Sequence, residues 1–156
     1  MSTNCPMAKL ALLFVLIVLL SPGISINIID QDSFALEYLN DYPVKIDGGC
    51  SFFTYDTTSL EEDRFVFIIS AAKTAFFKKD GRFFILHHLS REGKQNGYID
   101  HFAGSDSDYH IILDVNNIKR ISKWRTNYAG VLKISQRNKV KTIKVNGINE
   151  EFELNK

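Results

Sequence analysis

Along residues 109–115 the apolar side chains Tyr109, Ile111, Leu113 and Val115 alternate with His110, Ile112 and Asp114. A period of two places each set on its own face of an extended chain, so this stretch predicts a strand with one buried face. In Phe65–Ser70 both phases are apolar, as in a central strand covered on both sides or one crossing a barrel closure. Ala75–Leu86 predicts a hairpin, with Phe76 and Phe77 answered by Phe83 and Phe84 across Lys79, Asp80 and Gly81, whose Asp-Gly pair suits a tight turn. A second hairpin pairs Val131–Ser135 with Val140–Val145 around Gln136, Arg137, Asn138 and Lys139, where Asn138 tolerates positive φ. Val140 is out of phase with Ile143 and Val145, which predicts a bulge near Thr142 or an earlier start of the turn. Asn146 and Gly147 read as a further turn, after which Glu151–Leu154 returns as a short last strand.

With Pro43–Ile46, Cys50–Tyr55 and Tyr98–Phe102, these segments predict a mainly β fold: a single antiparallel β-barrel or β-sandwich of about eight strands. In Phe34–Leu39 two patterns compete. Phe34, Leu36 and Tyr38 alternate, yet Phe34 and Tyr38 also sit i, i+4 behind a cap at Asp32 or Ser33, and a short helix is expected there. Ile118, Ile121 and Trp124 have spacing close to one helix face, within residues that favour a loop.

Every residue from Leu10 to Leu20 is apolar, a run too short to cross a roughly 30 Å hydrocarbon layer comfortably. Lys9 precedes it, and Gly23 and Ser25 supply small residues at minus three and minus one of a cleavage after Ser25. Residues 1–25 are therefore expected to be an export signal and residues 26–156 one β domain, placing the product in a periplasm or outside the cell. Cys5 lies before the apolar run, where a lipoprotein signal would need it after. Cys50 is the one cysteine of the expected mature region, so no internal disulfide is expected. Its neighbours Gly49, Ser51, Phe52 and Phe53 suit a small buried hydrophobe better than an activated thiolate.

The mature region carries as many basic as acidic residues, unevenly placed. Residues 26–115 hold 8 basic and 15 acidic side chains, whereas residues 116–149 hold 9 basic and no acidic one. Such a stretch attracts phosphate-rich or otherwise anionic partners, and Lys133, Lys139, Lys141 and Lys144 form the candidate anion-binding patch. The competing expectation is that these strands pair with the acidic two-thirds of the same domain. Trp124, between Lys123 and Arg125, could stack on a base or sugar ring. The adjacent Phe pairs demand either a sheet covered on both faces or an exposed apolar stripe.

Catalytic and metal motifs are sparse. His87 and His88 are neighbours on a strand and point to opposite faces, so they cannot grip one ion without a bulge. His101, Asp106, Asp108 and His110 form the better cluster, the basis of an alternative as a metal-dependent hydrolase. No nucleophile elbow is present. Glu61, Glu62 and Asp63 form a charged run between strands, and Gly48 and Gly49 precede a strand, without the helix N-terminus that holds a phosphate. No cofactor is expected.

Cys50 to Leu86, with its C-S-F-F-T-Y-D, F-V-F-I-I-S and A-F-F-K-K-D-G-R-F-F-I-L segments, resembles a loose group of small exported bacterial envelope proteins of unknown function, and the likeness extends to the V-N-G-I-N of Val145–Asn149. Members of that group carry a second Cys just after the last V-x-G, where this chain has Asn149 and Glu150. A fainter likeness is to the periplasmic lysozyme inhibitors, small barrels in which a loop bearing Ser-Gly and Tyr plugs the enzyme's carboxylate cleft. The nearest match is Ala103, Gly104, Ser105 and Tyr109, which makes Gly104, Ser105 and Tyr109 a candidate partner loop, with order and spacing that differ from the family's. The functional expectation is an exported, non-enzymatic binding protein whose partner is an anionic envelope component or another protein.

Overall fold

Eight strands follow one another in chain order: β1 (Cys50–Tyr55), β2 (Phe67–Ile69), β3 (Ala75–Lys79), β4 (Arg82–Lys94), β5 (Gly97–Gly104), β6 (Tyr109–Arg120), β7 (Arg125–Gln136) and β8 (Lys139–Glu150). The computed structural model describes residues 34–43, Ile46 and residues 49–151. The expected export signal, residues 44–45 of the expected Pro43–Ile46 strand and residues 152–154 of the expected last strand lie outside the described residues, while Pro43, Ile46 and Glu151 are described and are not in strands. Each strand pairs antiparallel with the next, and β8 returns to β1 from Cys50 opposite Glu150 to Tyr55 opposite Val145, which closes a barrel rather than a sandwich.

An eight-stranded barrel has an interior just wide enough for side chains to fill. Here Phe53, Phe67, Phe77 and Phe102 fill it together with Leu86, Ile111, Leu113, Leu132 and Ile134, all essentially inaccessible to water. The alternation of Tyr109–Val115 is realised as drawn from the sequence, with those four residues inside and His110 exposed. Outward positions on β4 to β8 include His87, Glu92, His110, Asn116 and Lys133, all exposed. An apolar interior with polar outward positions is the reverse of a lipid-facing barrel, whose apolar band lies outside.

The Phe pairs receive both of their expected solutions. Phe77 stacks on Phe84 inside the barrel, 5.1 Å between centroids, in the register Phe77 opposite Phe84. On the outer face of β1–β3, Phe52, Ile68 and Phe76 form a second small core under Leu39, Ile46, Leu60 and Phe65. On β4 the outward Phe83 and Ile85 remain 37% and 43% exposed.

The first hairpin turns at Asp80 and Gly81, both at positive φ, as the Asp-Gly pair dictates. In the second, Arg137 and not Asn138 takes the left-handed conformation, φ 53°. No bulge forms near Thr142. Register runs unbroken from Gln136 opposite Lys139 to Arg125 opposite Glu150, and Val140 faces outward, 58% exposed, at the hairpin tip. Its phase needs no correction because no core lies beneath it.

Three further expectations change. Phe34–Leu39 is extended, not helical: Glu37 N–H donates to Lys78 O at 2.9 Å and Leu39 N–H to Phe65 O at 2.8 Å. Leu36 is held through its own backbone, its N–H donating to Tyr55 Oη at 2.7 Å while that hydroxyl donates to Leu36 O at 2.8 Å. The barrel thus takes the backbone groups that a helix would have satisfied internally. Asn146 and Gly147 are not a turn but the middle of β8. Gly147 lies against the Phe53 ring, where a Cβ would stand 2.3 Å from the ring edge, so the glycine serves close approach instead of reversal. Ile118 and Ile121 belong to the long β6–β7 hairpin, 65% and 48% exposed, beside a bulge between Asn117 and Lys119.

Gly147→Ala should therefore overpack the β1–β8 seam and cost about 1–3 kcal/mol. Urea denaturation should show a lowered midpoint, and adding Phe53→Leu should recover part of it. An unchanged midpoint in the single variant would contradict this account of the seam.

Candidate functional site

On the outer face of the β7–β8 hairpin, Lys133 alternates with buried Leu132 and Ile134, and Lys144 with buried Ile143 and Val145, so both lysines face water. Lys133 stands opposite Thr142 and Lys144 opposite Val131, which makes the two lysines diagonal neighbours, roughly 7–8 Å apart at their backbones. Lys139 and Lys141 lie in the opposite phase, opposite Gln136 and Ile134, and reach water because β8 runs past the end of β1 there. The four predicted lysines thus occupy one hairpin but divide between its two faces.

Of the expected neutralisation by the acidic two-thirds of the domain, Arg137 receives one carboxylate, and Arg125 meets one from the C-terminal end of β8 instead. Arg137 Nε donates to Asp108 Oδ2 at 2.9 Å, and Arg125 Nε lies 3.8 Å from Glu150. Lys123 sits over the Trp124 ring, 4.4 Å from its centroid. Among the described residues, Lys133, Lys141 and Lys144 have no carboxylate within ion-pair distance. Register is the reason: β6 places Ile112 and not an acid beside Lys133, and its Asp114 is engaged by Lys94.

The other predicted residues separate. Gly104 ends β5 and Ser105 is exposed in the turn, but Tyr109 is 2% exposed inside the barrel, edge-on to Phe77 and Phe84. It lies in the inward phase of β6, so the turn does not present its ring to a partner. His101 and His110 lie on the outer wall, Asp108 is held by Arg137, and no group of three metal-ligating side chains converges among the described residues. His101 Nε2 is 3.2 Å from Glu92 Oε1 at an angle unsuited to a hydrogen bond, which leaves that buried nitrogen without a hydrogen-bond partner. Cys50 is buried, as its neighbours suggest.

A cluster missed in the sequence runs from the barrel interior, at Asp100, out to solvent at Arg91. Asp100 is 1% exposed, and its carboxylate accepts from Arg91 Nε at 2.7 Å, from Arg91 Nη2 at 2.6 Å and from the His88 ring at 3.1 Å. His88 and Arg91 are an odd number of residues apart and would face opposite ways on a regular strand. A bulge at Leu89 adds the extra residue that turns both inward. Arg91 also lies over the Tyr98 ring, 3.8 Å from its centroid, and Tyr98 meets Tyr128 edge-on. The sequence did carry a signal: Asp100 falls in the inward phase between Tyr98 and Phe102, where a carboxylate needs a partner. One bidentate arginine, through two bonds, and a histidine satisfy it, which makes this cluster a structural clamp between β4 and β5.

The outer wall also carries clefts. One of about 390 Å³ lies between the 58–61 loop and strands β7 and β8, and one of about 330 Å³ lies beside it, sharing Leu60 and Arg125. Comparison with known protein families, with curated proteins and with solved structures finds no match to the chain.

Burial pushes the Tyr98 phenol far above its ordinary range, reinforced by Tyr128 and opposed by Arg91. Burial also raises Tyr128 and Tyr55. Each of these phenols ionises more readily in the unfolded chain, so their contribution is intact below about pH 10 and is lost as pH rises beyond it. Urea midpoints should fall between pH 9 and 11, and Tyr98→Phe should flatten that fall. A midpoint constant over that range would contradict the burial argument. Asp100→Asn should cost about 3 kcal/mol, the lower end for breaking a buried pair because Arg91 keeps access to water. Thermal or chemical denaturation measures it.

Proposed function

We propose that this chain is an exported, non-enzymatic binding protein that holds an anionic component of the cell envelope on its β7–β8 hairpin. One observation carries the proposal: Arg137 in the hairpin turn and Arg125 at the start of β7 have carboxylates, while Lys133, Lys141 and Lys144 on the strands between have none among the described residues. Like charges at diagonal positions of a sheet repel, and an external anion relieves that repulsion. The packed interior supports binding on the outside, since its volume is taken by aromatic and aliphatic side chains. Export rests on the apolar run of residues 10–20 and the small residues that follow it.

A hydrolase built on His101, Asp106, Asp108 and His110 has less support, because Asp108 is committed to Arg137. A lysozyme-inhibitor-like mode through Gly104, Ser105 and Tyr109 loses its aromatic residue to the core.

Inorganic polyphosphate is a suitable probe because it offers charge without rings or acyl chains. Its affinity should fall at least tenfold between about 50 and 200 mM salt. The double substitution Lys133→Gln with Lys144→Gln should weaken it further at low salt, while Lys73→Gln, in an exposed turn on another part of the barrel, should leave it unchanged. Binding that ignores salt would instead direct attention to the exposed Phe83 and Ile85 on β4.

A further inference from the structure

Below the two outward lysines, the same sheet face continues into the cleft of about 390 Å³. Successive outward positions on β8 are Lys144 and Asn146, and those on β7 pair with them across the strand, Val131 with Lys144 and Ala129 with Asn146. Lys144 therefore stands one outward step from the cleft, roughly 7 Å along the strand. The small side chain of Ala129 leaves the path between them open.

The cleft walls combine four kinds of group, and the one carboxylate, Glu61, places the acid of a bound glycan away from the 58–61 loop, on the lysine side. Ser59, Asn127 and Asn146 supply hydroxyl and amide functions, Arg125 supplies a cation, and Leu60 and Ile121 supply apolar edges. Asn146 spends one amide hydrogen on Asp56 O, at 3.3 Å, and keeps its other polar capacity. The amide oxygen of Asn127 is buried, without a hydrogen-bond partner and without surface open to the cleft, so only the NH2 end of that amide can serve a ligand. Ile121 is 48% exposed at the rim, a flat apolar surface beside polar groups.

Resting on the hairpin as the anion-binding face, we infer that this cleft is a subsite for one sugar ring of an acidic glycan, whose neighbouring carboxylate or phosphate is held by Lys144 and Lys133. A pyranose presents hydroxyls around its edge and apolar C–H groups on its faces, which matches amides and hydroxyls set against Leu60 and Ile121. The step from cleft to Lys144 is of the order of one sugar unit, so ring and charge are read together along the strand. A bilayer surface would meet the convex lysine face and leave the recessed cleft unused.

The test uses the full chain at low salt with three probes: an alginate hexamer, inorganic polyphosphate, and vesicles containing phosphatidylglycerol. Two variants address the cleft. Arg125→Gln alters a half-exposed side chain, and Asn146→Ala removes one amide; thermal melts confirm that both fold. Both should bind the hexamer about fivefold or more weakly, the loss of one hydrogen bond to the ligand, and Asn146→Ala, which changes no charge, should bind polyphosphate as the unaltered chain does. Lys133→Gln with Lys144→Gln should weaken both. Cleft variants that keep full affinity for the hexamer, or an Asn146→Ala that loses both probes equally, overturn the subsite while leaving the hairpin intact as an anion-binding face. Vesicles bound in preference to the hexamer, with cleft variants unaffected, overturn it in favour of a lipid headgroup. An unaltered chain that binds none of the three overturns the hairpin proposal itself.

Discussion

Closure of β8 onto β1 is the constraint from which the rest of the molecule follows. Six cross-strand pairs join the two ends of the sheet, and their close approach depends on Gly147, whose missing side chain admits the Phe53 ring. Once the seam is made, the apolar residues of every strand share one interior, and their burial supplies the main favourable term for folding. Sheet edges open along the barrel's length would otherwise expose unpaired backbone groups over long strands.

The strands are unequal, and that inequality generates the surface features. β2 has 3 residues and β3 has 5, whereas β4, β6, β7 and β8 have 12 or 13. The short strands are apolar on both faces and need a cover, which Leu39, Ile46, Leu60 and Phe65 provide from outside. The long ones run on past them. One consequence is the lysine-bearing β7–β8 tip, and another is the cleft between that sheet face and the 58–61 loop.

Charge inside the barrel and charge outside it follow different rules. Asp100 is tolerated in the core because Arg91 and His88 satisfy its oxygens, and the pair is specific in geometry more than large in net stability. On the wall, partners differ from one cation to the next: Lys78 and Lys94 meet Glu37 and Asp114, while Arg120 donates to the backbone carbonyls of Ser122 and Lys123. Asp108 and Glu150 lie near Arg137 and Arg125, and the register leaves Ile112 and Thr142 beside Lys133. Overall charge balance in the sequence therefore does not translate into local pairing.

The sequence by itself determined a mainly β fold of about eight strands, the inward set of Tyr109–Val115, the hairpin turning at Asp80 and Gly81, and the burial of Cys50, because period-two patterning and turn chemistry act locally; Pro43 and Ile46, read as ends of a strand, lie outside the barrel. Tertiary structure decided what depends on distant partners. Phe34–Leu39 gave up its helical spacing because Tyr55, Phe65 and Lys78 take its backbone groups. Gly147 became a packing residue instead of a turn because Phe53 lies across from it. His88 and Arg91 reached Asp100 through a bulge at Leu89 that no local pattern marks. The lysine stretch was plain in the sequence, but its division between two faces and its distance from the acids were fixed by register, a property of paired strands and not of either strand alone.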